Sequence, residues 1–442
     1  MGNNIQGDVN TISGGMFNYA TNSFSTVGGG MANVASGQSA TVAGGGQLVV
    51  IFPVDKAKPA AGVGGGGGNT ASGDYSFVGG GRRNVASGFS STIAGGDGNT
   101  ASLDDAVIGG GWGNVAQNAD ATISGGDNNT AGGCATTVAG GEQNNAGGDY
   151  SMVGGGTGNN GAGAGDVLAG GYNNSSGGGN NSTISGGNNN NSSGSDAVIG
   201  GGQANHVSAF FTTIGGGINN VATNDTAVVS GGTNNVGGGY AATVAGGSDN
   251  LALGDYSFAA GNFAEATNNN AFVWSDGSTN TVSTTNNQFV ARAVNGFVFY
   301  SDATSTGVSL APGSGSWSTM SDRNAKKDFA PVNAEAVLAR LAALPMTTWS
   351  YKTEPGVRHV GPMAQDFHAA FAVGEDDRHI TEVDEGGVAL AAIQGLNLKM
   401  QEQTGELKNR DAEIQNLKQQ NDALEKRLNK LEQAIQSLTI KN

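Results

Sequence analysis

The apolar residues of this chain recur at a fixed interval instead of gathering into long blocks. The pattern Thr-Ile/Val-x-Gly-Gly-x-x-Asn-x-Ala appears in Thr11-Ile12-Ser13-Gly14-Gly15, again in Thr122-Ile123-Ser124-Gly125-Gly126, and many times between. Its apolar member runs from Ile12 through Val27 and Val42, resumes at Val63 and continues to Ala259, nearly always in steps of about 15 residues. Six places later there is usually an asparagine, from Asn18 and Asn33 through Asn114 and Asn129 to Asn250. Each unit therefore holds one or two β-prone residues flanked by small ones, then Gly-Gly and Asn, which tolerate positive φ in tight turns.

One such unit is too small to fold by itself. Stacked about 4.8 Å apart, the units pair every backbone group with the coil above and below, which is the logic of a parallel β-solenoid. The predicted fold class is mainly β: an N-terminal β-roll or solenoid of about 15-residue coils, then a small α+β domain and a C-terminal α-helical coiled coil. Because Ala and Gly leave only a thin core, several chains, three by preference, are expected to share it. The asparagine row is read first as turn and ladder chemistry, with a metal or glycan role as the alternative. The pattern vanishes from Gln47 to Gly62, where Leu48-Val49-Val50-Ile51-Phe52 is fully apolar. An inserted loop or strand, an edge that seeks a partner, and a locally scrambled translation all fit this segment.

Composition narrows the function classes. Glycine supplies 79 of 442 residues, more than twice the ordinary share of about 7%, so an enzyme fold does not fill the chain. Glycine does not fall at every third place and there are 7 prolines, which excludes collagen. The net charge of -16 opposes binding to nucleic acid or to an anionic membrane surface. Cys134 stands alone, so neither an intrachain disulfide nor a cysteine zinc site is available. There is no run of eighteen apolar residues, and Met1-Gly2-Asn3-Asn4-Ile5 does not read as a secretory leader. Display outside a cell would then rest on a signal not included here, or on lysis and particle assembly.

The repeats resemble the heads of trimeric autotransporter adhesins, in which three chains form a left-handed parallel β-roll. The resemblance covers roughly residues 8 to 267, with a Gly-Gly and Asn variant that departs from the commonest form of that repeat. It implies an adhesive, host-facing stalk with a cell-surface receptor or glycan as its ligand. The membrane β-barrel that ends those adhesins is not matched, so attachment to an outer membrane by that route is not implied.

After Ala266 the motif stops. Gln288-Phe289-Val290-Ala291-Arg292-Ala293 and Gly296-Phe297-Val298-Phe299-Tyr300 read as two short strands, and Ala311 to Met320 reads as a flexible linker. About 15 of the 20 basic residues lie from Arg323 onward, so a charge boundary coincides with the change of pattern. The domains expected are a repeat head over 1–267, a β junction and linker over 268–317, a processing domain over 318–392 and a helix over 393–442.

The C-terminal part resembles the intramolecular chaperone of phage tailspike endosialidases and related tail fibres, which releases itself by self-cleavage. Three blocks carry the likeness: Ser321-Asp322-Arg323-Asn324-Ala325-Lys326, then His359-Val360-Gly361-Pro362-Met363-Ala364-Gln365-Asp366-Phe367, then Gly387-Val388-Ala389-Leu390-Ala391-Ala392-Ile393-Gln394-Gly395-Leu396-Asn397. A serine near a lysine is a minimal nucleophile and base, provided burial favours the neutral amine. The resemblance assigns these roles to Ser321 and Lys326, with the cut between Met320 and Ser321, in a single-turnover autoproteolysis. Lys327 is the confounder for Lys326. His359 is either a supporting group at the site or a structural histidine before a Gly-Pro turn, and Asp322 either shapes the site or caps the following turn. No paired-carboxylate motif, phosphate loop or histidine cluster suggests a diffusible substrate, and the Gly-x-Gly strings are repeat punctuation, so neither a cofactor nor a metal is expected.

From Ile393 a heptad runs through Met400, Leu407, Ile414, Asn421, Leu428 and Ile435 at a, with Leu396, Leu417, Leu424, Leu431 and Leu438 at d. Asn421 reads as a register device, while Gln403 and Arg410 weaken the early d positions. An intermolecular bundle is favoured over a helical hairpin, and the count of three comes from the two resemblances. The leading expectation is a self-processing homotrimeric fibre on a phage tail or a bacterial surface. A structural protein that keeps its end domain as a permanent clamp comes second, and a glycan-degrading tailspike third.

Overall fold

The structure, a computed structural model, describes residues 2–45, 60–303 and 306–439. It divides into two compact units, 1–295 and 296–442. Most of the irregular segment Gln47–Gly62 lies outside the described residues.

The first unit is a parallel β-solenoid. Most described coils contribute two strands of two residues, each pairing in parallel with its counterpart one coil away, as in Val107↔Thr122 with Ile108↔Ile123, and Val115↔Thr130 with Ala116↔Ala131. The result is two long ladders per chain, with single-residue bridges such as Arg82↔Asp97↔Trp112 forming a third line at the corner. Alternation within a two-residue strand points one side chain out and the other in. The inward residues are mostly Ile or Val on the first ladder and mostly Ala on the second: Ile93, Ile108 and Ile123, like Ala86, Ala101 and Ala116, are all 0% exposed.

This corrects the expectation of a core shared among chains. Because the second ladder presents little more than a methyl group, the two ladders approach closely enough for one chain to enclose its own Ile and Val row. The asparagine row fills the remaining corner. Asn114 Nδ2 donates to Gly110 O at 2.9 Å and to Gly126 O at 2.7 Å, and its Oδ1 accepts the backbone N–H of Asn129 at 2.9 Å. The second glycine of each pair is dictated by the next coil: Gly111 has φ +89°, and a Cβ there would stand 2.1 Å from Gly126 O.

The motif ends near Ala266, but the solenoid does not. Strands β1 (Phe258–Ala266) and β2 (Phe272–Val282) lengthen where Gly-Gly gives way to Ala-Gly and Trp-Ser, and β3 (Phe289–Arg292) forms the last rung. The register carries Phe258 onto Phe272 and Phe272 onto Phe289, whose rings stack at 4.6 and 4.7 Å. The strand expected at Phe289 thus pairs onto the roll as its last rung.

In the second unit β4 (Phe297–Tyr300) and β5 (Gly307–Leu310) pair antiparallel, and β6 (Ser318–Thr319) adds to β5. The end of the stretch expected as a flexible linker therefore pairs as a strand at Ser318–Thr319, with Trp317 against Phe299 at 5.6 Å. Helix α1 (Ala334–Ala343) is capped by Asn333, whose Oδ1 accepts from Ala336 N at 3.0 Å. A hairpin of β7 (Thr347–Trp349) and β8 (His359–Gly361), then α2 (Ala364–Phe371), lead to α3, a single helix over Glu382–Thr439. The helix starts ahead of the heptads because Thr381 and Asp384 cap it reciprocally, Thr381 Oγ1 donating to Asp384 Oδ2 at 2.7 Å and Asp384 N donating to Thr381 Oγ1 at 3.1 Å. Helix α1 packs on α3 at Gly395, where a Cβ would lie 2.3 Å from Ala334 O. The apolar heptad face of α3 is exposed in the single chain, with Ile393 at 63% and Leu424 at 60%. Among the described residues no helix is long and apolar enough to cross a membrane.

Candidate functional site

Strand β6 ends at Thr319, one residue before the Met320–Ser321 bond. Beyond it Asp322 caps a single 3-10 turn over Arg323–Ala325, its Oδ1 accepting from Asn324 N at 2.9 Å. Lys326 closes the turn in extended backbone, and its N–H donates to Arg323 O at 3.2 Å. This turn folds the chain back far enough that Lys326 Nζ donates to Ser321 Oγ at 2.7 Å. An aspartate that caps, three residues of turn and then a lysine is thus a local recipe for juxtaposing a hydroxyl and an amine. Lys327 points elsewhere, 91% exposed and 3.9 Å from the Asp328 carboxylate. Arg323 lies over the Phe329 ring, 6.0 Å from its centroid.

The contact between hydroxyl and amine is open to solvent, since Ser321 and Lys326 are both exposed. Among the described residues no hydrogen bond joins either of them to Asp322 or to His359. His359 sits in β8, opposite Trp349 of β7. Its ring stacks on Trp349 at 4.7 Å, meets Tyr351 edge-on at 5.6 Å and shares a 3.1 Å contact with Glu354 through Nε2. Sequence reasoning missed Trp349, Tyr351 and Glu354 as this group's companions. The alternation Trp349-Ser350-Tyr351 ahead of the Glu354-Pro355-Gly356 turn is the signal that could have found them.

Chemically, the arrangement offers one hydroxyl nucleophile, one amine at hydrogen-bond distance, and the backbone carbonyl of the preceding residue. Among the described residues no group of acidic, histidine and cysteine side chains could hold a metal ion. No curated protein matches the chain. Residues 321–373 do match a peptidase family model described as the chaperone of endosialidase, and the match begins at the serine of this contact. Behind its parallel β-solenoid the chain therefore carries a chaperone-of-endosialidase domain at 321–373.

Proposed function

We propose that this protein is a self-processing homotrimeric fibre of a phage tail or bacterial surface, whose solenoid is the mature, receptor-facing part. Its C-terminal domain assembles three chains through α3 and then cuts itself off between Met320 and Ser321. The observation that carries the reading is the coincidence of the family match, which starts at Ser321, with the 2.7 Å contact between Ser321 Oγ and Lys326 Nζ. The solenoid, with repeats like those of trimeric adhesin heads, fits the stalk that such a domain would mature.

In the step proposed, Ser321 Oγ attacks the carbonyl carbon of Met320 while neutral Lys326 takes the hydroxyl proton. A C–O bond forms, the Met320–Ser321 C–N bond breaks, and the proton passes to the departing amine of Ser321. Water then hydrolyses the resulting ester and leaves a Met320 carboxylate. The lysine must be neutral for this, and a dry surrounding favours that form. In the single chain the pair is exposed, so a neighbouring chain has to supply the cover, which couples the cut to assembly. His359 and Asp322 are assigned supporting roles: Asp322 sets the turn that brings Lys326 to Ser321, and the His359 cluster orders the hairpin.

The test is a denaturing gel with intact mass for wild type, Ser321→Ala and Lys326→Ala. Fragments ending at Met320 and beginning at Ser321, in wild type alone, are expected. A wild type that stays full length while assembled would make the domain a permanent clamp and the protein purely structural.

A further inference from the structure

The bond proposed to break lies just past the edge of a small sheet. In β4–β5–β6 the register runs Ser309↔Ser318 and Val308↔Thr319, so the next antiparallel pair sets Gly307 opposite Met320. Met320 keeps that order although β6 has ended, its N–H donating to Gly307 O at 3.4 Å. One residue ahead of β6 the Trp317 ring lies on Phe299 of β4, with 5.6 Å between centroids. The two-residue strand is thus held at both ends, by a ring before it and a backbone hydrogen bond after it. The loop that delivers it is shaped by its own hydroxyl: Ser314 Oγ donates to Ser316 O at 3.0 Å and accepts Ser316 N at 3.2 Å, while Ser314 N donates to Ala311 O at 3.0 Å. The same sheet demands a glycine at 307, since a Cβ there would stand 2.0 Å from Phe299 O.

We infer that this sheet is a positioning platform for the cut, with Trp317 and Gly307 as its positioning residues, an inference that rests on the self-processing reading above. Both residues lie outside the matched segment 321–373. The reacting atoms hang between two fixed elements. On the acyl side the sheet holds Met320 by its N–H, and on the other the turn capped by Asp322 holds Lys326 against Ser321.

In the step, the C–O bond from Ser321 Oγ to the Met320 carbonyl carbon forms, the C–N bond breaks, and Lys326 carries the hydroxyl proton to the departing amine. The hydroxyl and the carbonyl of adjacent residues reach the attacking geometry in a small share of backbone conformers, so fixing the backbone ahead of the bond raises that share. A free stretch of Gly and Ser would leave it low. The ring contact contributes little as packing, because Phe299 is 56% and Trp317 49% exposed; what it does is place β6. The platform stands on the solenoid side of the bond, so it leaves with the mature fragment and the new Met320 carboxylate follows its edge strand.

The test times the cut in the full chain, by cell-free synthesis followed on denaturing gels, with native mass for assembly, in wild type, Trp317→Ala, Trp317→Phe and Val298→Ala. Val298 alternates with Phe299 along β4 and projects from the opposite face, so its truncation weakens the sheet without touching the Trp317 contact. Trp317→Ala is expected to assemble as wild type does and to cut at least roughly tenfold more slowly. Trp317→Phe should restore most of the rate, and Val298→Ala should cut at the wild-type rate. Hydrogen exchange on the uncut Ser321→Ala chain gives a second reading: residues 316–320 should be protected, and adding Trp317→Ala should remove the protection. Trp317→Ala cutting at the wild-type rate, Val298→Ala slowing as much as Trp317→Ala, or residues 316–320 exchanging freely in the Ser321→Ala chain overturns the platform alone. A wild type that assembles and stays full length overturns the self-processing reading and the platform together.

Discussion

Each buried asparagine binds the coils on three sides, so single residues carry measurable stability. Asn129 Nδ2 donates to Gly125 O and Gly141 O at 3.1 and 2.9 Å, and its Oδ1 accepts Asn144 N at 2.9 Å. Asn129→Ala leaves the Gly125 carbonyl and the Asn144 N–H without the partners they had, while Gly141 O keeps the Asp127 N–H at 2.9 Å, a cost of about 1–3 kcal/mol. Because a solenoid coil contacts only its neighbours, amide exchange should accelerate from about Thr122 to Val153 and stay unchanged near Val228. Equal acceleration at both places would show that the coils unfold as one unit. The asparagine row was legible because it repeats; Asp166 was not, because an acid stands at that coil position once, although Asn10 makes the same kind of contact to Ser25 N in the first coil. Asp166 occupies a position that most other coils give to Ala, Ser or Thr, is 0% exposed, and accepts Gly163 N at 2.7 Å and Ser182 N at 2.9 Å. It stitches the one coil that is longer by a residue, between Leu168 and Ile184, and that extra residue was its only sequence signal.

At the scale of elements, the contact of α1 with α3 depends on one missing side chain. Gly395→Val would drive a Cβ against Ala334 O, with Leu338 Cβ 3.1 Å away on the same helix, and the two helices must separate. Gly405 of α3 has nothing within 4 Å of its Cβ position, so Gly405→Val tests the helix-propensity change alone. Amide protection of Ala334–Ala343 should fall by at least about tenfold in the first variant and be unchanged in the second. If both variants behave alike, the crossing is not held by Gly395. Gly395 was visible in the sequence as part of a block, but its purpose was not, because close approach between distant helices leaves no local pattern. The same limit explains Ser318–Thr319, whose glycine- and serine-rich surroundings read as a linker although β5 pairs with it. The coils were legible almost to the residue, since each lies beside its own copy. The local half of the candidate site, Ser321 with Lys326, is spanned by one short turn. The cluster of Trp349, Tyr351, Glu354 and His359 depends on a hairpin, and pairing partners across a hairpin are weakly encoded in either strand alone.

For the whole molecule, a solenoid that encloses its own core changes what the C-terminal helix has to do. Partners are not needed to bury Ile93 or Ile108; in the function proposed above their part is to set register, since nearly identical coils let a slip by one coil cost little, and to cover the exposed Ser321 and Lys326. In that proposal the apolar face of α3 controls both tasks. Leu417→Lys with Leu424→Lys places charges on the exposed apolar face, where Leu417 is 56% and Leu424 60% open in the single chain. In an assembled seam every strand would bring those charges together, which an apolar interface does not tolerate. The double variant should therefore be a single chain by native mass and should keep the β signal of the solenoid by circular dichroism. Its yield of Ser321-initiated fragment should fall at least about tenfold below wild type, because the pair then lacks the cover that the proposed cut requires. Loss of the β signal would show that the coils do need partners after all. A single-chain variant that cuts itself at the wild-type rate would show that the pair works without cover, and assembly would then no longer gate the cut. If the variant behaves as expected, the order of events follows: coils close within each chain, α3 aligns the chains, the covered pair cuts, and removal of the aligning helix leaves an assembly held by the kinetic barrier to its dissociation.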